Sequence, residues 1–196
     1  MTSSIESRLR RPVPAIDLPA LAEREGLLDV AVATLASPVG DLLLAATPAG
    51  LVRVSFFAPD EALAELAARM SPRILEAPAR LDGVRRQLEE YFEGRRRRFD
   101  LAIDWSLVGE WGRKILDACS AIPYGEVRTY RDMAVAAGSP KASRAAGTAL
   151  GNNPVPVVVP CHRVLRLGGG LGGYTGGLDR KEQLLRLEGV LPPAPG

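Results

Sequence analysis

Thr129-Tyr130-Arg131-Asp132-Met133-Ala134-Val135-Ala136-Ala137-Gly138-Ser139-Pro140-Lys141-Ala142-Ser143-Arg144-Ala145-Ala146-Gly147-Thr148-Ala149-Leu150 reads as two short helices around a Gly-Ser turn. Thr129 suits an N-cap, with Asp132 three residues on as its capping-box partner. The first helix runs from Tyr130 to Ala137 and stops at Gly138. Ser139 can cap the second, with Pro140 at its first position. That second helix is built largely from Ala, Ser, Thr and Gly, with Lys141 and Arg144 as its only charges. The pattern is that of a helix-turn-helix. Its small side chains leave a smooth cylinder that can approach a nucleic-acid groove, and Arg144 projects from it. The same residues also permit tight helix packing, and the pattern alone leaves both readings open.

Upstream, Trp111–Cys119 is helical, with Trp111, Ile115 and Ala118 on one face, and Cys119 beside them reads as a buried small hydrophobe. Ile122-Pro123-Tyr124-Gly125 breaks that helix. Further back, Asp29–Ala36, Asp41–Ala46 and Leu51–Phe57 read as a three-strand meander with turns at Gly40 and Gly50. Glu61–Met70 and Leu81–Phe92 are helical by their apolar spacing, the second ended by Gly94, and Phe99–Ile103 reads as a short strand. The division expected is an N-terminal tail over 1–27, an α/β block over 28–106, a mostly helical block over 107–190 and a C-terminal tail over 191–196. The run Arg95-Arg96-Arg97-Arg98 closely follows Glu89, Glu90 and Glu93, and reads as a solvated turn balanced by those carboxylates.

The chain has 196 residues, 46% hydrophobic and 24% charged. It is too apolar for disorder and has no uninterrupted apolar run of the roughly 18–20 residues a membrane span needs. Neither a secretory signal nor a disulfide framework is visible, so a cytoplasmic protein with free thiols is expected. With one histidine and two cysteines a zinc site would need almost every candidate ligand, so no metal is expected. The net charge of +2 hides an asymmetry: residues 1–106 are net −2 and residues 107–196 net +4. A basic C-terminal half permits a nucleic-acid partner without demanding one.

Downstream of the helix pair lies Asn152-Asn153-Pro154-Val155-Pro156-Val157-Val158-Val159-Pro160-Cys161-His162-Arg163-Val164. The three valines read as a buried strand ended by Pro160, with Cys161 and His162 at its end. A thiol becomes a strong nucleophile only as thiolate, and His162 is the only imidazole available to help it. Neighbours on extended chain point to opposite faces, so a water bridging the thiol and the ring is expected rather than direct contact. Asp179 and Glu182 suggest a capping-box start to a helix reaching Glu188, with Gly189 at its end. Glu188 shares a face with apolar residues and is a candidate to orient His162. Each residue alone also fits a structural role: a buried thiol, a surface histidine, an exposed carboxylate. Together with the helix pair they favour nucleophilic catalysis. The stretch Gly168–Gly177 formally contains G-x-G-x-x-G, but no dinucleotide-type helix or suitably spaced acid follows, and it reads as a flexible loop.

Pro160-Cys161-His162-Arg163-Val164 resembles the active-site signature of the O6-alkylguanine-DNA alkyltransferases. Ile122-Pro123-Tyr124-Gly125-Glu126-Val127, Tyr130, Arg144-Ala145-Ala146-Gly147, Asn152-Asn153-Pro154 and Gly173-Tyr174-Thr175-Gly176-Gly177-Leu178 resemble that family in the same order and spacing. The resemblance covers about residues 28–190. It implies a ribonuclease-H-like N-terminal α/β layer without catalytic role, and a winged-helix-like C-terminal domain carrying the thiol. It implies binding of double-stranded DNA through the minor groove by a monomer at the nucleoid, and leaves open whether molecules are cooperative on DNA. Arg144 matches the residue that fills the space of a flipped base. Tyr130 matches the one that crowds the phosphate and protonates the departing guanine. Lys141, Ser143 and Thr148 would join them on the DNA. Cys161, His162 and Glu188 would form the relay, with Asn153 supporting the turn before the thiol. Val159, Tyr174, Thr175 and Pro156 would line the base pocket. The implied reaction is single, irreversible transfer of the alkyl group from O6-alkylguanine, and from O4-alkylthymine, to Cys161 without a cofactor.

Two departures accompany the match: Trp111-Gly112 where the family often carries Phe-Gln, and Thr175 where it often has serine or glycine. Two other readings compete: a non-catalytic lesion-binding module resting on the helix pair alone, and a cysteine hydrolase using Cys161 and His162. The second is the weakest, lacking a recognisable oxyanion loop.

Overall fold

The structure, a computed structural model, describes residues 17–56 and 59–193. Phe57, the expected end of the third strand, and the basic Arg8–Arg11 with Pro12 and Pro14 lie outside the described residues.

The stretch before the sheet carries a short helix, α1 (Leu18–Arg24), where no sustained period is visible in the sequence. Asp17 caps it through the Ala20 amide and Pro19 sits in its first turn, where a missing N–H costs nothing. Strands β1 (Val30–Leu35), β2 (Leu42–Thr47) and β3 (Gly50–Ser55) form the expected antiparallel meander. A fourth strand, β4 (Ile74–Glu76), pairs parallel to β1, giving the order β3-β2-β1-β4. It lies between α2 (Pro59–Arg69) and a 3-10 turn leading into α3 (Asp82–Phe92). Three residues are too few to show a period, so the sequence gives no sign of it. The expected strand Phe99–Ile103 is absent as a strand. Only Ile103 bridges to Leu51, held by Leu51 N to the Ala102 carbonyl at 2.9 Å.

Alternation along β2 explains why both faces of the sheet are covered. Leu43 and Ala45 turn towards Leu66 and Ala62 of α2. Leu42 and Leu44 turn the other way, into a core that holds Leu88 and Tyr91 of α3 and runs on into Ile115, Leu116, Ala146 and Val159. The two blocks therefore share one continuous interior. Residues Arg95 and Arg96 pair with Glu93 and Glu90, as a balanced turn requires, and the Arg97 guanidinium lies over the Tyr124 ring.

In the second block α4 (Glu110–Ser120), α5 (Tyr130–Ala136) and α6 (Ser143–Gly151) pack against one another. Thr129 and Asp132 make the full capping box at the start of α5. The second helix of the pair starts later than expected. Ser139 and Pro140 belong to a turn closed by the Ala142 amide on the Ser139 carbonyl, and the helix begins at Ser143. Strands β5 (Arg128–Thr129) and β6 (Val164–Leu165) pair parallel beside this helix pair. The last helix, α7 (Leu178–Leu187), takes Gly177 as N-cap, so Asp179 and Glu182 form no capping box. Glu182 pairs with Arg186 instead. Gly189 closes the helix with φ 75°, a left-handed conformation suited to glycine. Among the described residues no helix is long and apolar enough to cross a membrane.

Candidate active site

The valine stretch is buried as expected, but it is not a strand. Pro156 and Val159 bridge across a tight turn in which Val157 takes φ 74°. A β-branched residue there costs on the order of 1–3 kcal/mol, so something must hold it. Asn153 does. Its Oδ1 accepts from the Val155 amide at 3.1 Å, and its Nδ2 donates to the Val159 carbonyl at 2.9 Å and to Cys161 Sγ at 3.2 Å. The chain then turns through a 3-10 segment, Cys161–Arg163, which is why Cys161 and His162 do not alternate as on a strand.

His162 is wholly buried. Its Nε2 lies 2.9 Å from Glu188 Oε1, while its Nδ1 has no hydrogen-bond partner among the described residues. Glu188 sits at the C-cap of α7, itself buried, and gathers four further donors. Arg163 reaches it through Nε and Nη2, both at 2.8 Å, Tyr91 Oη at 2.7 Å and the Gly125 amide at 3.3 Å. Although burial acts against it, these hydrogen bonds, led by His162 and Arg163, hold the carboxyl down at about 2. Burial pushes the His162 pKa below its ordinary value despite the carboxylate. The ring is therefore neutral, with Nε2 donating to Glu188 and Nδ1 left as an acceptor. Burial raises the Cys161 thiol to about 11, opposed by the Asn153 hydrogen bond and the nearby Lys181 charge. At rest, then, Cys161 is a protonated thiol and its neighbour His162 a neutral imidazole.

Three comparisons bear on this arrangement. Residues 110–190 match "6-O-methylguanine DNA methyltransferase, DNA binding domain", and residues 30–105 match "6-O-methylguanine DNA methyltransferase, ribonuclease-like domain". The chain belongs to the 6-O-methylguanine DNA methyltransferase family. A methylated-DNA–protein-cysteine methyltransferase of Methanosarcina acetivorans is 40% identical over 153 residues, 78% of this chain and 94% of that one. One from Mycolicibacterium paratuberculosis is 48% identical over 120 residues, covering 61% and 72%. Among solved structures, the Mycobacterium tuberculosis O6-methylguanine methyltransferase is similar at TM-score 0.70 and 34% identity, over 85% of this chain and 96% of that one. The M. tuberculosis OGT in complex with DNA is similar at 0.71 and 34%, over 81% and 93%. This methyltransferase thus has the two-domain build of its family, a sheet-containing N-terminal domain and a helical C-terminal DNA-binding domain.

In this methyltransferase the thiol opens into a pocket of about 860 Å³. Cys161, Tyr130, Ser143, Arg144, Thr148, Tyr174 and Thr175 all line it, so the structure brings most of the expected residues together. Tyr130 lies between two glycines. A Cβ on Gly147 would touch its ring at 3.6 Å, and one on Gly172 would stand 2.5 Å from its hydroxyl. Thr175 Oγ1 donates to the Gly151 carbonyl at 2.8 Å. Tyr174 Oη is buried with no hydrogen-bond partner among the described residues. Pro156 and Val159 are buried in the turn behind the thiol and are not pocket-lining, while Lys141 is exposed outside it.

Four residues of the methyltransferase site escaped the sequence reading. Arg163 stands in the quoted motif, yet nothing in the sequence tells that it turns inward onto Glu188. Arg166 lines the pocket. Tyr91 comes from the other domain. Lys181 is fully buried, its Nζ donating to the carbonyls of Val164, Leu171 and Gly173. Burial lowers its pKa to about 8. An apolar neighbour pattern around a lysine in α7 is the one signal that could have found it. Among the described residues no group of three or more His, Cys, Asp or Glu is placed to hold a metal.

Proposed function

We propose that this chain repairs DNA by direct, stoichiometric and irreversible transfer of an alkyl group from O6-alkylguanine to Cys161. O4-alkylthymine is the second substrate of this reading. The observation that carries it is the ordered set Glu188–His162–Cys161 beneath a pocket bordered by the DNA-binding helix pair.

A stacked base keeps its O6 substituent out of reach of a buried thiol, so the nucleotide must be extruded. Arg144, exposed at the start of α6, would fill the gap, and Ser143, Thr148 and Lys141 would make backbone contacts. The small side chains of α6 suit the minor groove, and the net charge of the C-terminal half suits a polyanion. In the chemical step His162 Nδ1 takes the thiol proton through a bridging water. The sulfur lone pair forms the S–C bond as the C–O6 bond breaks, and its electrons pass to the guanine. The Tyr130 hydroxyl, in the pocket wall, returns a proton to the base. Protons balance once Tyr130 recovers one from the imidazolium through solvent. Because a thioether resists hydrolysis, each molecule reacts once.

The antiparallel meander with its parallel fourth strand supports the ribonuclease-H-like label for the N-terminal domain. The β5–β6 pair beside the helix pair supports the winged-helix label for the C-terminal one. A monomer in the cytoplasm, associated with the nucleoid and cooperative on DNA, completes the proposal. The test is intact-protein mass after incubation with a duplex containing O6-methylguanine under reducing conditions. One added methyl, absent in Cys161→Ala, is expected. An unchanged mass in the unsubstituted protein overturns the reading.

A further inference from the structure

The N-terminal domain is expected to carry no catalytic role, yet it places one side chain in the relay. Tyr91 lies on α3, wholly buried, and its hydroxyl donates to Glu188 Oε1 at 2.7 Å. That oxygen is the one His162 Nε2 meets at 2.9 Å, and Arg163 Nη2 meets it too, at 2.8 Å. We propose that Tyr91 is a positioning residue of the alkyl-transfer relay: its hydroxyl fixes the Glu188 oxygen that orients His162, and limits how strongly that oxygen draws a proton to the ring. The proposal rests on the reading of Cys161 as alkyl acceptor.

The packing around Tyr91 does not need a hydroxyl. Its ring meets Phe92 edge-on at 5.4 Å, Phe99 at 5.3 Å and Tyr124 edge-on at 6.1 Å, contacts a phenylalanine ring would make as well. Burying a hydroxyl is costly unless it finds a partner, and the partner here is the relay carboxylate. Burial and the Glu188 charge raise the phenol well above its usual value, so it remains a donor throughout the working range.

The effect on His162 has a definite sign. Hydrogen-bond donors on a carboxylate oxygen spread its charge and weaken its pull on a neighbouring cation. The groups facing the ring are Glu188, which favours its protonated form, and Arg163 and Lys181, which oppose it. Tyr174 stands edge-on to the ring at 6.4 Å, Cys161 precedes it in the chain, and Tyr124 with Arg97 closes the far side of the cluster. Tyr91 is the tyrosine of this cluster whose hydroxyl donates to Glu188, and that donor can be removed with one oxygen atom and no change in net charge. Tyr91→Phe leaves Glu188 Oε1 more basic towards His162, so the imidazole should protonate more easily.

His162 is the only histidine of the chain, so its ring resonances in a tag-free protein are unambiguous. The experiment is an NMR pH titration of those resonances in the unsubstituted full chain, Tyr91→Phe and Phe99→Leu, with the rate of methyl transfer against pH for each. In Tyr91→Phe the His162 midpoint, and with it the acid limb of the rate profile, should rise by roughly half a pH unit. Phe99→Leu disturbs the same packing while leaving the hydroxyl, and should lower the melting temperature without moving the midpoint. A folded Tyr91→Phe with an unchanged or lowered midpoint overturns the proposal, as does an equal upward shift in Phe99→Leu. Absence of methyl transfer in the unsubstituted protein would instead defeat the alkyl-acceptor reading. The NMR midpoints would then still decide whether Tyr91 tunes His162.

Discussion

The Asn153 amide nitrogen lies 2.9 Å from the Val159 carbonyl oxygen and 3.2 Å from the Cys161 sulfur, so one side chain clamps the strained turn and touches the thiol. Asn153→Leu keeps the approximate shape and removes all three hydrogen bonds. It leaves the Val155 amide buried without its partner and the Val159 carbonyl with the Cys161 amide alone, which should cost about 1–3 kcal/mol in chemical denaturation. It also removes a donor that favours the thiolate. Methyl transfer should slow by roughly tenfold for each unit by which the thiol pKa climbs. A variant as stable and as fast as the parent would refute the clamp.

Acid stability follows from Glu188. Its folded pKa, about 2, lies below an ordinary value of 4.5, so its contribution is fully present above about pH 4.5 and lost as pH falls towards 2. That contribution is about 3 kcal/mol by linkage. His162 acts in the same direction, because a ring buried neutral opposes protonation below its ordinary value of 6.5. Denaturation midpoints should therefore fall steadily from pH 6.5 downwards. In Glu188→Gln the part below pH 4.5 should flatten, while stability at neutral pH drops by about 3–5 kcal/mol because Arg163 is left buried without its anion.

Lys181 joins the thiol's electrostatics to the loop that forms the pocket wall. Its ammonium ties the carbonyls of Leu171 and Gly173 to that of Val164, just past Cys161. Lys181→Met keeps the length, frees those carbonyls and withdraws a positive charge. At pH 7, where the parent lysine carries its proton, Cys161 should then react more slowly with a small alkylating reagent, read in a Cys119→Ala background. Protease cleavage within residues 168–173 should become faster. Because the parent lysine is itself disfavoured by burial, the loss of stability should be small.

The helix pair, the meander and the Cys161–His162–Glu188 set could be read from the sequence because each rests on local signals: a capping box, alternation, a unique imidazole. The rest depends on tertiary contact across long separations or on a local turn that competes with the expected element. Val157–Val159 has the composition of a strand, but Asn153 offers those backbone groups other partners and bends them into a turn. Tyr91 looks like any apolar position of α3, and only the Glu188 contact, 97 residues away, gives its hydroxyl a use. Phe99–Ile103 has strand composition, but just one residue of it bridges to β3. α6 starts later than Ser139-Pro140 suggests because that pair, a good helix opening, also makes a good turn.

In the proposed reading Arg144 acts in base flipping and takes no part in the chemistry. It is exposed at the first turn of α6 and borders the pocket that holds Cys161, with no part in the Glu188 cluster. Arg144→Ala should leave the melting temperature unchanged within about a degree, since an exposed truncation away from the core costs little. Transfer from O6-methylguanine in a duplex should slow by roughly ten- to a hundredfold, the few kcal/mol of unstacking no longer being offset by a side chain in the vacated space. Transfer from the free base O6-benzylguanine needs no extrusion and should stay within twofold of the parent, a small-molecule control for an intact thiol and relay. Equal losses on both substrates would place Arg144 in the chemical step and contradict its role in the groove.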